Sequence, residues 1–176
     1  MKIGIISDTH KKVRRAKKAI DMLLDNGVEL IIHAGDICKE EILEYLEEVL
    51  VPYVAVLGNN DGKLVKLTQK YNLFKEPHYF SIDNLKIKLM HLPWFLSSDA
   101  DIIIFGHTHK FYLECSSSGK LYINPGEVCA RNKPISEAAI LEIYNDKWVI
   151  THCQRRIKET KWQYSKKIFK RVLEYV

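Results

Sequence analysis

A chain of 176 residues with 47% hydrophobic side chains can bury one sizeable core, and no Gly/Ser/Pro-rich stretch divides it, so a single domain over residues 1–176 is expected. Its apolar runs stay well below the roughly 20 residues of a membrane helix, and residues 3–6 are too few for a signal-peptide core, which points to a cytoplasmic protein with no membrane partner. The net charge of +5 is uneven: from residue 147 onward nine Lys or Arg face only Glu159 and Glu174, leaving −2 on the first 146 residues.

In chain order, residues 2–7 read as a buried strand. Residues 13–26 read as an amphipathic helix with Ala16, Ala19, Ile20, Leu23 and Leu24 on one face and Gly27 as its stop. The pattern repeats with a strand over 30–33, a helix over 39–49 and a strand over 53–57, which predicts a parallel sheet covered by helices. Beyond it, Asp83-Asn84, Ser117-Ser118-Gly119 and Asn145-Asp146 each separate two short strand-like runs and read as hairpin turns, with a further apolar strand over 101–105. Three hairpins imply a second, largely antiparallel sheet packed face to face on the first, with helices outside. The basic tail, about 159–175, reads as a helix, because Ile157, Tyr164, Ile168 and Val172 fall near one helical face.

Cys38, Cys115, Cys129 and Cys153 are scattered with no Cys-x-x-Cys pair, which excludes zinc-finger and disulfide-scaffold readings and leaves buried free thiols. The stretch SSSGK at 116–120 lacks the first Gly and final Ser/Thr of a phosphate-binding loop, and there is no Gly-x-Ser-x-Gly.

The chemistry concentrates where the strands end. Asp8-Thr9-His10 follows the first strand, Gly35-Asp36 the second and Gly58-Asn59-Asn60-Asp61 the third; His91 follows the strand ending near Met90, and Gly106-His107-Thr108-His109 follows 101–105. Carboxyl ends of strands in α/β sheets converge on one crevice, so Asp8, His10, Asp36, Asn59, His91, His107 and His109 can meet there. In an extended segment, residues two apart project to the same side, which suits both Asp8/His10 and His107/His109. One such residue alone would be a turn or cap residue. Seven at five strand ends form a ligand set.

Mixed imidazole, carboxylate and amide donors suit Mn, Fe, Zn, Co or Ni. Seven donors exceed one tetrahedral site but match two ions roughly 3.5–4 Å apart sharing a carboxylate, the arrangement that hydrolyses phosphoesters.

The blocks DTH at 8–10, GD at 35–36, GN at 58–59, His91 and GHTH at 106–109 resemble, in order, those of the calcineurin-like metallophosphoesterases. INPGE at 123–127 is similar to the Asn-Pro-Gly turn of their small bacterial and archaeal phosphodiesterase branch. The resemblance implies a four-layer αββα sandwich of two mixed β-sheets flanked by helices. It implies two divalent metal ions, Mn foremost, with Ni, Co, Fe, Zn or Mg as alternatives. Asp8, His10, Asp36 and His109 would hold one ion and Asp36, Asn59, His91 and His107 the other. Asp36, Asn59 and His91 would also carry catalysis around a metal-bridging hydroxide. The implied substrate is a small phosphodiester or nucleotide-like molecule.

Three departures from the family pattern bear on substrate and site. Asn60 stands where protein-phosphatase members carry a His that protonates the leaving group, and an amide cannot do this. Leu92 replaces a usual Gly after His91, and the 15 residues between His91 and His107 leave no room for the helix usual there.

Two other classes compete. The fold also resembles the retromer subunit, a protein-interaction scaffold with a degraded metal site, and DICKEEILEYL at 36–46 is similar to a helix of it. A scaffold has no need of all seven donors, and all seven are present. The basic tail, with Trp162 and Tyr164 among its lysines, would be the nucleic-acid-binding element, against the simpler reading of a solvated face. A homo-oligomer stays open. His33 would orient a ligand or merely bond locally, and Arg131 would meet a phosphate or a surface carboxylate.

Overall fold

The computed structural model describes residues 1–171. Strand β1 (Lys2–Ile6), helix α1 (Val13–Asp25), β2 (Leu30–His33), α2 (Glu40–Glu48) and β3 (Tyr53–Val56) follow the expected order within a residue or two at each end. A 3₁₀ segment over Gly62–Gln69 and the two-residue strand β4 (Leu73–Phe74) complete this half. The parallel order β1-β2-β3-β4 explains the uninterrupted apolar runs, because both faces of these strands are covered. Ile6 and Ile31 pack against α1 and α2, while Ile3, Ile5 and Ile32 face the other way. Gly4 lets α1 press close: a Cβ there would stand 2.7 Å from the Leu23 side chain.

The second half is built from β5 (His78–Ile82), β6 (Leu85–Leu89), β7 (Ile102–Ile104), β8 (Phe111–Cys115), β9 (Leu121–Pro125), β10 (Ile135–Ile143), β11 (Lys147–Arg156) and β12 (Gln163–Lys170). Two sheets result, ordered β12-β11-β10-β1-β2-β3-β4 and β5-β6-β7-β9-β8. Ile3, Ile5 and Ile32 of the first meet Ile87, Ile102, Ile104 and Ile123 of the second in one buried layer, so the two-sheet sandwich stands.

Three expectations change. The third hairpin, β10–β11, joins the first sheet by pairing β10 antiparallel to β1, and the second sheet is mixed, with β6-β7 and β7-β9 parallel. Among the described residues, the outer face of the second sheet carries a short 3₁₀ turn over Pro93–Phe95 and its flanking chain rather than an α-helix, held down where Lys88 Nζ meets Ser97 Oγ at 2.8 Å and Asp99 Oδ1 at 3.0 Å. The fourth layer of the sandwich is thin here.

The expected C-terminal helix is instead the strand β12 as far as Lys170, and positions 172–175 of that expectation lie outside the described residues. The spacing of apolar residues allowed either period. The ten-residue β11 presents a long open edge, and pairing along it satisfies a row of backbone groups and sets Phe169 against Trp148. Lys166, Lys167 and Lys170 then project from an edge strand, where lysines discourage further pairing.

Candidate metal centre

All seven expected residues come together beyond the carboxyl ends of β1, β2, β3, β6 and β7. The means differs from the extended geometry expected of them. Asp8, His10, Asp36, His107 and His109 all have left-handed backbones, with φ of 52°, 45°, 56°, 67° and 59°. Each such non-glycine residue costs on the order of 1 kcal/mol, strain that persists only where the surroundings fix it. Those surroundings are dense: Asp8 N donates to Gly35 O, His10 N to Asp36 O and Cys129 N to Asp8 O. Gly35, at φ 88°, lies so near the His91 ring that a Cβ would sit 2.6 Å from Nδ1.

Two groups of donor atoms form. In the first, Asp8 Oδ1 lies 3.2 Å from His109 Nε2 and 3.9 Å from His10 Nε2, which is 3.3 Å from His109 Nε2 and 3.7 Å from Asp36 Oδ2. In the second, His91 Nε2 lies 3.4 Å from Asp36 Oδ2 and 3.0 Å from Asn59 Oδ1, and His107 Nδ1 lies 3.1 Å from that same amide oxygen. Donors about 2.0–2.2 Å from a common ion are separated by such distances. Asp36 Oδ2 belongs to both groups. Asp8, Asp36 and His91, and likewise His10, His109 and Cys129, can each converge on one ion.

The surrounding bonds leave the right atoms open. Asp8 Oδ2 accepts from Ser7 Oγ at 2.7 Å and from His107 N at 3.1 Å, whereas its buried Oδ1 accepts no hydrogen bond. His91 Nδ1 meets Ala34 O at 2.8 Å and His109 Nδ1 meets Glu127 Oε2 at 2.5 Å, so each Nδ1 carries the hydrogen and each Nε2 offers its lone pair inward.

The electrostatics fit a cationic guest. Burial pushes the Asp8 carboxyl up in pKa against the pull of Ser7, His91 and His109. At Asp36 burial acts the same way, but the hydrogen bond and charge of His91 and the amides of Asn60 outweigh it and hold the carboxyl well below its usual range. Burial and the nearby Arg131 cation lower His10 to about 4, whereas at His91 the bond to Asp36 overcomes burial and raises the pKa.

Several positioning residues were not among the seven donors expected from the sequence. Buried Glu127 holds His109 and accepts from Asn132 N and Lys133 N. Asp61 accepts from Gly58 N, Ile37 N and Cys38 N, tying the loops after β2 and β3 together. Its place in the GNND run was the available clue. Asn60 grips Asp36 through N–H to Oδ1 at 2.9 Å and Nδ2 to Oδ2 at 2.7 Å. Glu76 accepts from His91 N and Leu92 N, and Leu92 at φ −80° needs no glycine, so the departure after His91 is accommodated.

Of the remaining candidates, Cys129 joins the His10 and His109 group and the others fall outside the donor groups. His33 bonds Thr9 Oγ1 at 2.9 Å, while Arg131 Nη2 lies 3.4 Å from His10 Nδ1, with no ion pair to a carboxylate among the described residues. Cys38 is half-buried beside His10, and Cys115 is also half-buried, so only Cys129 and Cys153 are buried thiols. Asn124, in the Asn-Pro-Gly turn, donates to Gly106 O and Thr108 Oγ1 and so secures the His107–His109 turn.

Residues 1–146 match the model of the calcineurin-like phosphoesterase superfamily domain. A phosphodiesterase of Methanocaldococcus jannaschii is 34% identical over 155 residues, spanning 81% of this chain and 93% of that protein. A probable metallophosphoesterase of Methanothermobacter thermautotrophicus is 30% identical over 84% of this chain and 88% of its own. Among solved structures, an archaeal phosphodiesterase superposes with TM-score 0.74 at 31% identity, covering 96% of this chain and all of its own. Vacuolar protein sorting 29 of Cryptosporidium parvum reaches 0.77 at 22% identity, covering 97% and 98%, a likeness of fold. With these matches and this cluster of donors, the chain belongs to the calcineurin-like phosphoesterase superfamily.

Proposed function

We propose that this protein is a phosphodiesterase working with two divalent ions, held by Asp8, His10, Asp36 and His109 on one side and by Asp36, Asn59, His91 and His107 on the other. The observation that carries the reading is the position of Asp36 Oδ2, 3.7 Å from His10 Nε2 and 3.4 Å from His91 Nε2, common to both donor groups. Ions bound there supply an acidified water and neutralise charge on the phosphoryl oxygens. Asp36 fixes the two donor groups relative to each other, and Asn60 fixes Asp36. Asn59 and His91 hold the second group where the scissile phosphoryl must lie.

The mixed donor set favours Mn, with Ni, Co, Fe and Zn next and Mg as a further alternative. Asn60 offers no proton to a leaving group, which favours diesters with good leaving groups over phosphoprotein substrates. Free cysteines fit a reducing compartment, so a cytoplasmic location is part of the reading. No helix among the described residues is long and apolar enough to cross a membrane. A scaffold role like that of the structurally similar sorting protein is weaker, because every donor is retained.

The test is hydrolysis of bis(4-nitrophenyl) phosphate and 4-nitrophenyl phosphate by metal-depleted protein after addition of Mn, Ni, Co, Zn or Mg. Diester turnover restored by an added ion and abolished in Asp36→Ala is expected. Inactivity with every ion, or near-normal turnover in Asp36→Ala, would refute the reading.

A further inference from the structure

A basin of about 1160 Å³ opens beside the metal centre, bounded there by His10 and Asn59. Six cations line it: Lys11, Lys12, Arg15, Lys39, Lys63 and Arg131. Among its lining residues there is no carboxylate and no Phe, Tyr or Trp. Composition does not explain this, since the first 146 residues sum to −2.

The cations are also placed where they cost stability. Lys11 and Lys12 immediately precede α1, Arg14 and Arg15 lie in its first turn, and that turn holds no acid. Positive charge at a helix N-terminus opposes the macrodipole. Outside the basin, Lys70, Lys120 and Lys133 pair with Glu40, Asp101 and Glu137 at 2.8, 2.9 and 2.7 Å. Among the described residues Lys11, Lys12, Lys63 and Arg131 have no such partner, and Lys39 reaches only Glu41 at 3.9 Å with both exposed. Arg15 braces the wall by donating to Cys129 O.

We propose that this basin is a subsite for a second phosphate of the substrate. The inference rests on the phosphodiesterase reading and narrows its substrate class to small esters that carry at least one phosphate besides the scissile one. The lining lacks the aromatic platforms that bases of a nucleic-acid strand stack on, so recognition is of phosphate on a small molecule. With the scissile group at the metal centre, the further phosphate lies among Lys12, Lys39 and Lys63.

Two chromogenic substrates isolate that phosphate: the 4-nitrophenyl ester of thymidine 5′-phosphate, with and without a 3′-phosphate. In the unaltered protein KM should be about 10-fold lower for the 3′-phosphorylated ester, the order expected from a few solvent-screened ion pairs. In the Lys12→Ala, Lys39→Ala, Lys63→Ala triple variant this advantage should vanish, while kcat and KM for bis(4-nitrophenyl) phosphate stay unchanged. Equal KM values for the two esters in the unaltered protein, or an advantage that persists in the variant, would overturn the subsite.

If no ester is cleaved with any added ion, the phosphodiesterase reading fails separately, and calorimetry still decides the subsite. Thymidine 3′,5′-bisphosphate should bind the unaltered protein, but not the variant, about 10-fold more tightly than thymidine 5′-monophosphate. Equal affinities would refute it.

Discussion

Glu127 Oε2 stands 2.5 Å from His109 Nδ1, and the glutamate is fully buried, so the inward orientation of the His109 Nε2 lone pair depends on a residue 18 positions further along the chain. Burial pushes the Glu127 carboxyl up in pKa, but His109 and the amides of Asn132 and Lys133 outweigh this and keep it ionised. A carboxylate on the far nitrogen of a ligating imidazole fixes its tautomer and raises its basicity.

Glu127→Gln keeps the size but removes the charge. Affinity for Mn, measured by competition with a chelator, should fall about 10- to 100-fold, with diester turnover at limiting Mn falling in parallel. Unchanged affinity would make Glu127 a packing residue only.

The leaving group should leave without a proton from Asn60, whose side chain is committed to Asp36 at 2.7 Å. A positioned general acid contributes about 10²- to 10⁴-fold, mostly with poor leaving groups. In a series of aryl diesters the phenyl ester should therefore react at least about 10²-fold more slowly than the 4-nitrophenyl ester. Nearly equal rates would reveal another proton donor.

His33 is fully buried, with Nε2 on Thr9 and Nδ1 without a partner, and burial, followed by the charge of His91, lowers its pKa to about 3. The unfolded chain binds this proton near the ordinary value of 6.5 and the folded one does not, so stability falls as the pH drops from 6.5 toward 3. One such group contributes at most about 1.4 kcal/mol per pH unit. In urea titrations of metal-free protein, His33→Gln should lose stability less steeply over this window than the unaltered chain. Parallel slopes would show that His33 is not the proton acceptor. His10, lowered to about 4, contributes to both slopes alike.

Lys88 is buried in the outer face of the second sheet, and its ammonium holds the chain over 97–99 through Ser97 and Asp99. Asp99→Ala leaves that cation with less compensation. Because Asp99 itself is exposed and Ser97 remains, the expected outcome is a measurable loss in urea denaturation with faster proteolysis near Trp94. A loss below about 0.5 kcal/mol, the usual range of surface changes, would show that the segment is held by other contacts.

Much of the fold was legible because its local signals agree. The first five elements alternate period 2 and period 3.6 with little conflict, and Asp83-Asn84 adopts the pair of positive φ values, 46° and 65°, that a two-residue hairpin demands. Hairpins declare themselves locally, but the edge each one joins does not. The β10–β11 hairpin lies beside β1 because that edge was open, a fact fixed far back in the chain, where Lys2 pairs with Glu142 and Ile5 with Ala139. The tail from 163 to 170 failed for the same reason, since its lysines and spaced apolar residues suit a helix until β11 offers a ten-residue edge.

The sequence alone determined which donors gather, because parallel strands deliver their carboxyl ends to one side and seven metal-competent residues stand at five of those ends. Only the tertiary structure decided how they point. Left-handed turns at Asp8, His10, Asp36, His107 and His109 depend on backbone bonds from neighbouring loops, and the lone pairs of His91 and His109 are aimed by Ala34 and Glu127. Spacing along a chain fixes which strand end a side chain occupies. Its direction is set by partners distant in sequence, and those contacts exist only once the two sheets have packed.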